Sequence, residues 1–444
     1  MKKRGRVLFV LTVVLAALGL VIMGCDLGGN GGATKKITGI VRDSVNGDPV
    51  DGATVTFGDS SAATGSDGSF SLDLGASSGV VISSWSMRAS GYDLTYWEQV
   101  SVDGSQDADV PVYINRLGVD TAMGDWTDYG YSTHQIDLTV KDSGGNEIPT
   151  GWRVEAEVLN SNGGSDRGTH LTYTNGGPNT FDTPSFGSDC LVVATVEDDA
   201  DVLQFVVWAK QVNLSASTTP LTLTATDSPT IVDITADAVG NLGMITLVTP
   251  YGSVEGGYWE FSPNASISGV EVYNPYGYEG SWAQMSIDTS DPNYDKLLLS
   301  TSTVSSISTP VTLPAIDATL GPDAGYTSFS VSYSDSTGVL SWPAVSEASF
   351  YAVSIYTSAA PLGGGYRPAQ FYLASESITL PQWLRDDLSG VTADVIVTAG
   401  DSLGTADLSD LVGSGDFPAG MKWGFAVIKG GMDPGEGYEE TILF

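Results

Sequence analysis

Three short stretches near the start of the chain decide its fold: Ile37-Thr-Gly-Ile-Val-Arg42, Ala53-Thr-Val-Thr-Phe57 and Ser69-Phe-Ser-Leu-Asp-Leu74. Apolar and polar residues alternate along them, which is the period of a β-strand with one buried face. More strand-like stretches follow as far as Arg116, separated by turn residues at spacings of about 8 to 12 residues. Residues 37–116 therefore predict a small β-sandwich.

The composition extends this prediction to the rest of the chain. Of its 444 residues, 41% are hydrophobic and 16% are charged, so the protein is too apolar to be disordered. Its 54 glycines and 20 prolines favour many short strands joined by turns and exclude an all-helical protein. The 53 acidic residues against 18 basic ones give a net charge of −35, which repels phosphate backbones. We therefore predict an all-β protein that does not bind nucleic acid.

The N-terminus has the features of an export signal. Four basic residues precede an apolar run over residues 7–23. The stretch Ile22-Met-Gly-Cys25 that ends this run resembles the lipobox of bacterial lipoproteins, in which a cysteine is lipidated and becomes the mature N-terminus. The resemblance implies a signal peptide over residues 1–24, lipidation of Cys25 and a glycine-rich flexible linker over residues 25–36. It leaves open which membrane holds the protein.

Residues 37–116 also resemble a known family. The motifs Gly39-Ile-Val-Arg-Asp43, Gly47-Asp-Pro-Val-Asp-Gly-Ala-Thr-Val55, Thr64-Gly-Ser-Asp-Gly-Ser-Phe70 and Ala89-Ser-Gly-Tyr92 are similar to those of the carboxypeptidase regulatory-like domain. The resemblance implies a transthyretin-like sandwich with no catalytic groups, and at most a binding or spacer role.

The remaining chain continues in short strands. Residues 117–323 read as one or two further sandwiches of no recognised family, and no internal repeat at a fixed period is evident. Residues 324–405 resemble a fibronectin type III domain through Gly338-Val-Leu-Ser-Trp342, Tyr351-Ala-Val-Ser-Ile-Tyr356 and the alternating valines after Leu388, and the resemblance implies that Trp342 lies in the core. Residues 406–444 predict a C-terminal β extension. The fold predicted is a string of tandem β-sandwich domains after a lipoprotein signal peptide.

Residues that could carry chemistry are few. The two histidines, His134 and His170, lie in no catalytic motif and are predicted to be surface or turn residues. The run Glu197-Asp-Asp-Ala-Asp201 lacks the spacing of a calcium loop, and Cys190 is typical of a buried filler residue. We predict no metal, no cofactor and no enzymatic activity. A polysaccharide hydrolase with paired carboxylates stays open as the alternative, because sequence cannot reveal the distance between two acids.

Aromatic residues are the best indication of a ligand. Their flat faces could stack on sugar rings, although aromatic residues are also common in strands and cores. The candidates are Tyr96, Trp97, Trp259, Tyr273, Tyr276, Tyr278 and Trp282. The sequence thus predicts a lipid-anchored protein of the bacterial cell envelope, facing the periplasm or the cell surface, with a non-catalytic binding or structural role. Its expected partners are the membrane and either a polysaccharide or another envelope protein.

Overall fold

A computed structural model describes most of the chain between Lys35 and Leu443. The described ranges are 35–75, 79–117, 126–162, 165–200, 202–214, 218–225, 229–235, 242–260, 266–277, 279–288, 294–304, 311–312, 321–322, 330–346, 348–357, 366–401, 406–407, 422–428 and 438–443. The predicted signal peptide, Cys25 and nearly all of the predicted linker lie outside them. The described ranges form four β-sandwich modules, which confirms the all-β prediction.

Module 1 spans residues 35–117 and contains seven strands. These are β1 (Lys35–Asp43), β2 (Thr54–Phe57), β3 (Ser60–Ala63), β4 (Ser69–Gly75), β5 (Val80–Arg88), β6 (Leu94–Asp103) and β7 (Ala108–Ile114). One sheet has the order β4-β1-β7 and the other β3-β2-β5-β6. The first and last strands, β1 and β7, are parallel neighbours, whereas the other pairs within the module are antiparallel.

The alternating residues predicted from the sequence form the core of module 1. Val55, Phe70 and Leu72 are buried between the two sheets, beside the fully buried Trp85. Gly39 has a specific role in this packing, because a β-carbon there would lie 2.0 Å from the Val110 carbonyl oxygen. The small residue therefore lets β1 pack closely against β7.

Modules 2 and 3 repeat the topology of module 1. Module 2 spans residues 126–225 and begins with a short 3-10 helix, Trp126–Tyr129. Its strands are β8 (Thr133–Lys141), β9 (Arg153–Asn160), β10 (Ser165–Thr172), β11 (Thr180–Pro184), β12 (Gly187–Glu197), β13 (Leu203–Leu214) and β14 (Thr218–Thr224). Module 3 spans residues 229–312. Its strands are β15 (Thr230–Thr235), β16 (Leu242–Thr249), β17 (Gly252–Glu260), β18 (Ser266–Val272), β19 (Glu279–Asp288), β20 (Tyr294–Val304) and β21 (Val311–Thr312).

The sheet orders show this repeat directly. They are β11-β8-β14 with β10-β9-β12-β13 in module 2, and β18-β15-β21 with β17-β16-β19-β20 in module 3. In both modules the first and last strands are again parallel neighbours. The three first strands begin about 100 residues apart. The repeat is not evident in the sequence, because a sandwich core requires only alternating apolar residues, and these can change identity without changing the strand order.

Module 4 spans residues 321–443. Its elements are β22 (Gly321–Pro322), β23 (Ser332–Ser334), β24 (Val339–Ser341), β25 (Val345–Ser346), β26 (Phe350–Thr357), β27 (Tyr366–Leu373), β28 (Ser377–Thr379), helix α1 (Gln382–Leu388), β29 (Thr392–Asp401), β30 (Ala406–Asp407), β31 (Lys422–Ile428) and β32 (Tyr438–Leu443). The sheet β23-β24-β28 faces the row β27-β26-β29-β32. As the fibronectin type III resemblance implied, Trp342 is buried in the core, where its ring packs edge-on against Tyr351 at a centroid distance of 5.5 Å.

Modules 1, 3 and 4 share one continuous sheet of 14 strands. Strand β27 of module 4 pairs in parallel with β6 of module 1, and β31 joins β29 of module 4 to β20 of module 3. Instead of ending a string of separate domains, the last module connects back to the first. Within the described ranges, no helix is long and apolar enough to cross a membrane.

Candidate functional site

The most unusual side-chain cluster lies at the junction of modules 1 and 2. Its centre is Asp43, at the end of β1, which is 0% exposed. Arg116, which follows β7, donates from Nε to Asp43 Oδ2 over 2.8 Å. The hydroxyls of Tyr92 and Tyr131 lie 3.0 Å and 2.9 Å from the same carboxylate. The backbone N–H of Val45 donates to Oδ1 over 2.9 Å. We call Asp43, Tyr92, Arg116 and Tyr131 the junction cluster.

The junction cluster joins two modules because Tyr131 comes from module 2 and the other three residues come from module 1. The Arg116 guanidinium lies 4.0 Å from the centre of the Tyr131 ring, so the same cation pairs with the carboxylate and stacks on an aromatic face. Burial, together with the negative charge of Asp43, raises the pKa of Tyr92 to about 12. The pKa of Tyr131 is raised by the same two causes. Both phenols therefore stay protonated at neutral pH and act as hydrogen-bond donors.

Two further hydrogen bonds hold the same junction. Asn160, at the end of β9, donates from Nδ2 to the Asn46 carbonyl over 2.7 Å. The Tyr113 hydroxyl donates to the Asn162 carbonyl over 3.1 Å. The loop after β1 thus packs directly on module 2, and the relative orientation of the two modules is set by directional contacts.

Modules 2 and 3 are joined by tyrosines of module 3. The Tyr251 hydroxyl donates to Asp189 Oδ1 over 3.0 Å, and the Tyr273 hydroxyl lies 3.0 Å from the Gln204 carbonyl oxygen. Burial and the neighbouring Glu271 raise the pKa of Tyr273. In the same contact, Lys210 Nζ lies 3.3 Å from the centre of the Tyr276 ring.

Modules 1 and 4 meet along the pairing of β6 with β27, which we call the seam. Trp97 and Tyr372 stack across the seam with a centroid distance of 3.6 Å and an interplanar angle of 7°. Glu98 accepts a hydrogen bond from the backbone N–H of Ala374 over 2.7 Å. Arg88 lies 4.1 Å from the centre of the Trp383 ring. The seam therefore combines backbone pairing, aromatic stacking and charge.

Several predicted ligand-binding aromatics lie in these junctions. Trp97 is only 9% exposed, and the half-buried Tyr96 packs on Phe371 at a centroid distance of 6.1 Å. Tyr273 is likewise buried. Flat apolar rings that could stack on a sugar also fill module interfaces, and ligand binding by these three residues stays a prediction.

The other predicted residues have different outcomes. Tyr276 is 40% exposed, with Trp208 edge-on to its ring at 6.2 Å. Trp259 and Trp282 lie on β17 and β19, and their side chains are outside the described part of the structure, as is Tyr278 entirely. Cys25 also lies outside it, so its lipidation stays a prediction.

The histidine and cysteine side chains that the structure describes are buried. His134 is buried in β8 with Nε2 3.1 Å from Thr219 Oγ1, which corrects the prediction of a surface or turn histidine; its burial lowers the pKa of the ring. The His170 side chain is outside the described residues. Cys190 is a buried free thiol, and burial raises its pKa to about 12. Asp198 accepts hydrogen bonds from Ala200 and Val202, as expected for a turn. Among described side chains, no group of three or more His, Cys, Asp or Glu residues could hold a metal ion.

The junction cluster was not predicted from the sequence. Its members are 88 residues apart at the extremes, and no local motif links them. A weak signal existed in the stretch Val41-Arg-Asp-Ser44, which recurs as Val140-Lys-Asp-Ser143 at the same position of module 2.

No protein-family model and no curated protein matches the chain. The domain-family resemblances of the sequence therefore stay predictions. Among solved structures, the chain is similar to the TIE protein of Bacillus anthracis, with 10% identity, 64% of this chain and 51% of that chain covered, and a TM-score of 0.15. It therefore spans about half the length of that protein.

Two further similar structures are pilus proteins. BcpA, the major pilin subunit of Bacillus cereus, has 12% identity, with 58% of this chain and 90% of that chain covered and a TM-score of 0.15. The pilus adhesin SpaC of Lactobacillus rhamnosus GG has 9% identity, with 87% and 52% covered and a TM-score of 0.17. Similarities at these TM-scores carry no inference about this chain.

Proposed function

We propose that the protein is a lipid-anchored, non-catalytic structural or binding protein of the bacterial cell envelope, in which the modules keep one relative arrangement. The observation that carries the proposal is the set of directional junctions. The buried carboxylate of Asp43 takes hydrogen-bond partners from both modules 1 and 2, and the seam joins the first module to the last. Such junctions suit a protein that presents a surface at a defined position.

Attachment is tested at Cys25. The full chain is produced in a bacterium fed a labelled fatty acid, and the product is fractionated and weighed by mass spectrometry. We expect a membrane-bound product cleaved before Cys25 and carrying acyl chains, with Cys25→Ala abolishing both the label and the membrane association. An unmodified, uncleaved and cytosolic wild-type product would overturn the proposal.

Carbohydrate binding is a second candidate, supported by Tyr276, which is 40% exposed although Lys210 lies over one face of its ring. A glycan array probed with residues 26–444 tests it. We expect a bound glycan to be lost with Tyr276→Ala and kept with Ile82→Ala, a truncation at an exposed apolar residue of module 1. No binding across a broad array, or binding unchanged in Tyr276→Ala, would remove this candidate. The polysaccharide hydrolase stays a prediction of the sequence alone.

A further inference from the structure

The strand order of module 1 has a mechanical consequence. The chain enters module 1 at Lys35, and β1 then runs through the middle of its sheet, between β4 and β7. Six register pairs join β1 to β4, and seven join it to β7. A pull on the N-terminal side of Lys35 that is resisted at the Asp43 end of module 1 acts along the axis of β1. Both ladders of hydrogen bonds are then loaded in shear, because inter-strand bonds run across the strands.

The far end of β1 is held most firmly. Asp43 is the last residue of β1, and its carboxylate is bound by Arg116 and by Tyr131 of module 2. Ile37 and Val41 are fully buried in the core. To slide out, β1 must therefore break two ladders, withdraw apolar side chains and detach a buried charge from its partners in one movement.

We propose that β1 is a tension-bearing strand that transmits pull from the N-terminal anchor into modules 1 and 2. The proposal rests on the membrane attachment proposed above for the source of the pull. The same parallel pairing of first and last strands recurs in modules 2 and 3, although the pairing described in module 3 has only two register pairs. Each repeated module thus places its terminal strands so that tension between its ends shears them.

Single-molecule force spectroscopy can separate shear from peeling within the same protein. Residues 26–444 carrying Cys190→Ala are held by a handle at residue 26 and by a second handle on one introduced cysteine. Ser90→Cys places that handle at the far end of module 1, where Gly91 and Leu117 are hydrogen-bonded. Gln106→Cys places it beside the entry of β1, where Asp107 accepts a hydrogen bond from the Lys36 N–H. Both positions are exposed.

We expect the Ser90 handle to give a rupture force several-fold higher than the Gln106 handle at the same loading rate, because shear loads all the bonds together and peeling breaks them one at a time. Asp43→Asn should lower the rupture force at the Ser90 handle and leave the force at Gln106 unchanged, since peeling reaches Asp43 last. Asp142→Asn, at the matching position of module 2, should change neither force. Equal forces in the two geometries would overturn the proposal. Because the protein used in this experiment, residues 26–444, lacks Cys25, the result is independent of whether the anchor exists.

Discussion

Asp43 and Asp142 occupy matching positions in modules 1 and 2, but their carboxylates have different partners. Each ends or follows the first strand of its module, and each carboxylate accepts the N–H two residues later, from Val45 and Gly144. The Asp142 carboxylate goes on to bond Asn146 within its own loop. Asp43 instead binds Arg116 and two tyrosines across a module boundary. The local turn is therefore set by the sequence, but the buried network depends on which module lies next to it.

This difference predicts unequal effects of the same substitution. Asp43→Asn removes the negative charge of Asp43 from the junction cluster and breaks its ion pair with the half-buried Arg116 guanidinium. We expect a loss of about 3 to 5 kcal/mol in the free energy of unfolding, measured by urea denaturation. Asp142→Asn is the matched control and should lose distinctly less. Equal losses of unfolding free energy in the two variants would show that Asp43 stabilises the protein only through its local turn.

The buried tyrosines predict a dependence of stability on alkaline pH. The folded state holds the pKa of Tyr92 at about 12, above its ordinary value near 10, so the unfolded chain releases this proton first as the pH rises. The stability that Tyr92 contributes is complete below pH 10 and is lost as the pH approaches 12. Between about pH 9 and about pH 11.5, urea denaturation should show a smaller loss of unfolding free energy in Tyr92→Phe than in the wild type. Identical losses would exclude this role.

The sequence shows which residues are aromatic and predicts which of them lie on strands, but it does not show what each ring contacts. Trp97 and Tyr276 both fit a sugar-stacking pattern, yet Trp97 is buried against Tyr372, whereas Tyr276 is contacted by Lys210 and stays 40% exposed. The difference arises from contacts hundreds of residues apart, which a local pattern does not contain. Trp342 was predictable because the fibronectin type III resemblance rests on motifs within one module, and its partner Tyr351 belongs to one of them.

At the level of elements, strands were predictable and their long-range pairings were not. Alternation locates β2 and β4 directly, since each shows one buried face. The parallel pairing of β6 with β27 has no counterpart in either strand's sequence, because any half-buried strand with a free edge could pair there. Pairing of this kind is decided by the assembled modules.

The seam predicts coupling between two distant residues. Trp97 and Tyr372 are stacked, so truncating either one removes the same contact. In a double-mutant cycle of Trp97→Ala and Tyr372→Ala, unfolding free energies should show a coupling of about 0.5 to 1.5 kcal/mol. The pair Trp85 and Trp342, one in each module core, serves as the control and should be nearly additive. Additive losses at the seam would mean that the two modules do not meet there.

At the scale of the molecule, three sandwiches of one topology are followed by a fourth that closes back on the first. The sequence predicted tandem sandwiches and the approximate place of the last one, but it left residues 117–323 undivided and suggested separate domains along a string. The repeat consists of a shared strand order, and the last module joins the first through pairing at the edges of their sheets. Neither the strand order nor the edge pairing can be predicted from the residue pattern of any single segment.

Disulfide trapping across the seam tests the closed arrangement most directly. Thr95 and Gln370 are register partners on neighbouring strands, whose spacing of about 4.8 Å lies within the range that a disulfide can bridge. In residues 26–444 with Cys190→Ala, mild oxidation of Thr95→Cys/Gln370→Cys should cross-link most of the monomer, seen as a mobility shift on non-reducing gels and loss of free thiols by mass. Monomers whose two thiols stay as open to alkylation as in the single-cysteine variants would contradict the joining of module 1 to module 4.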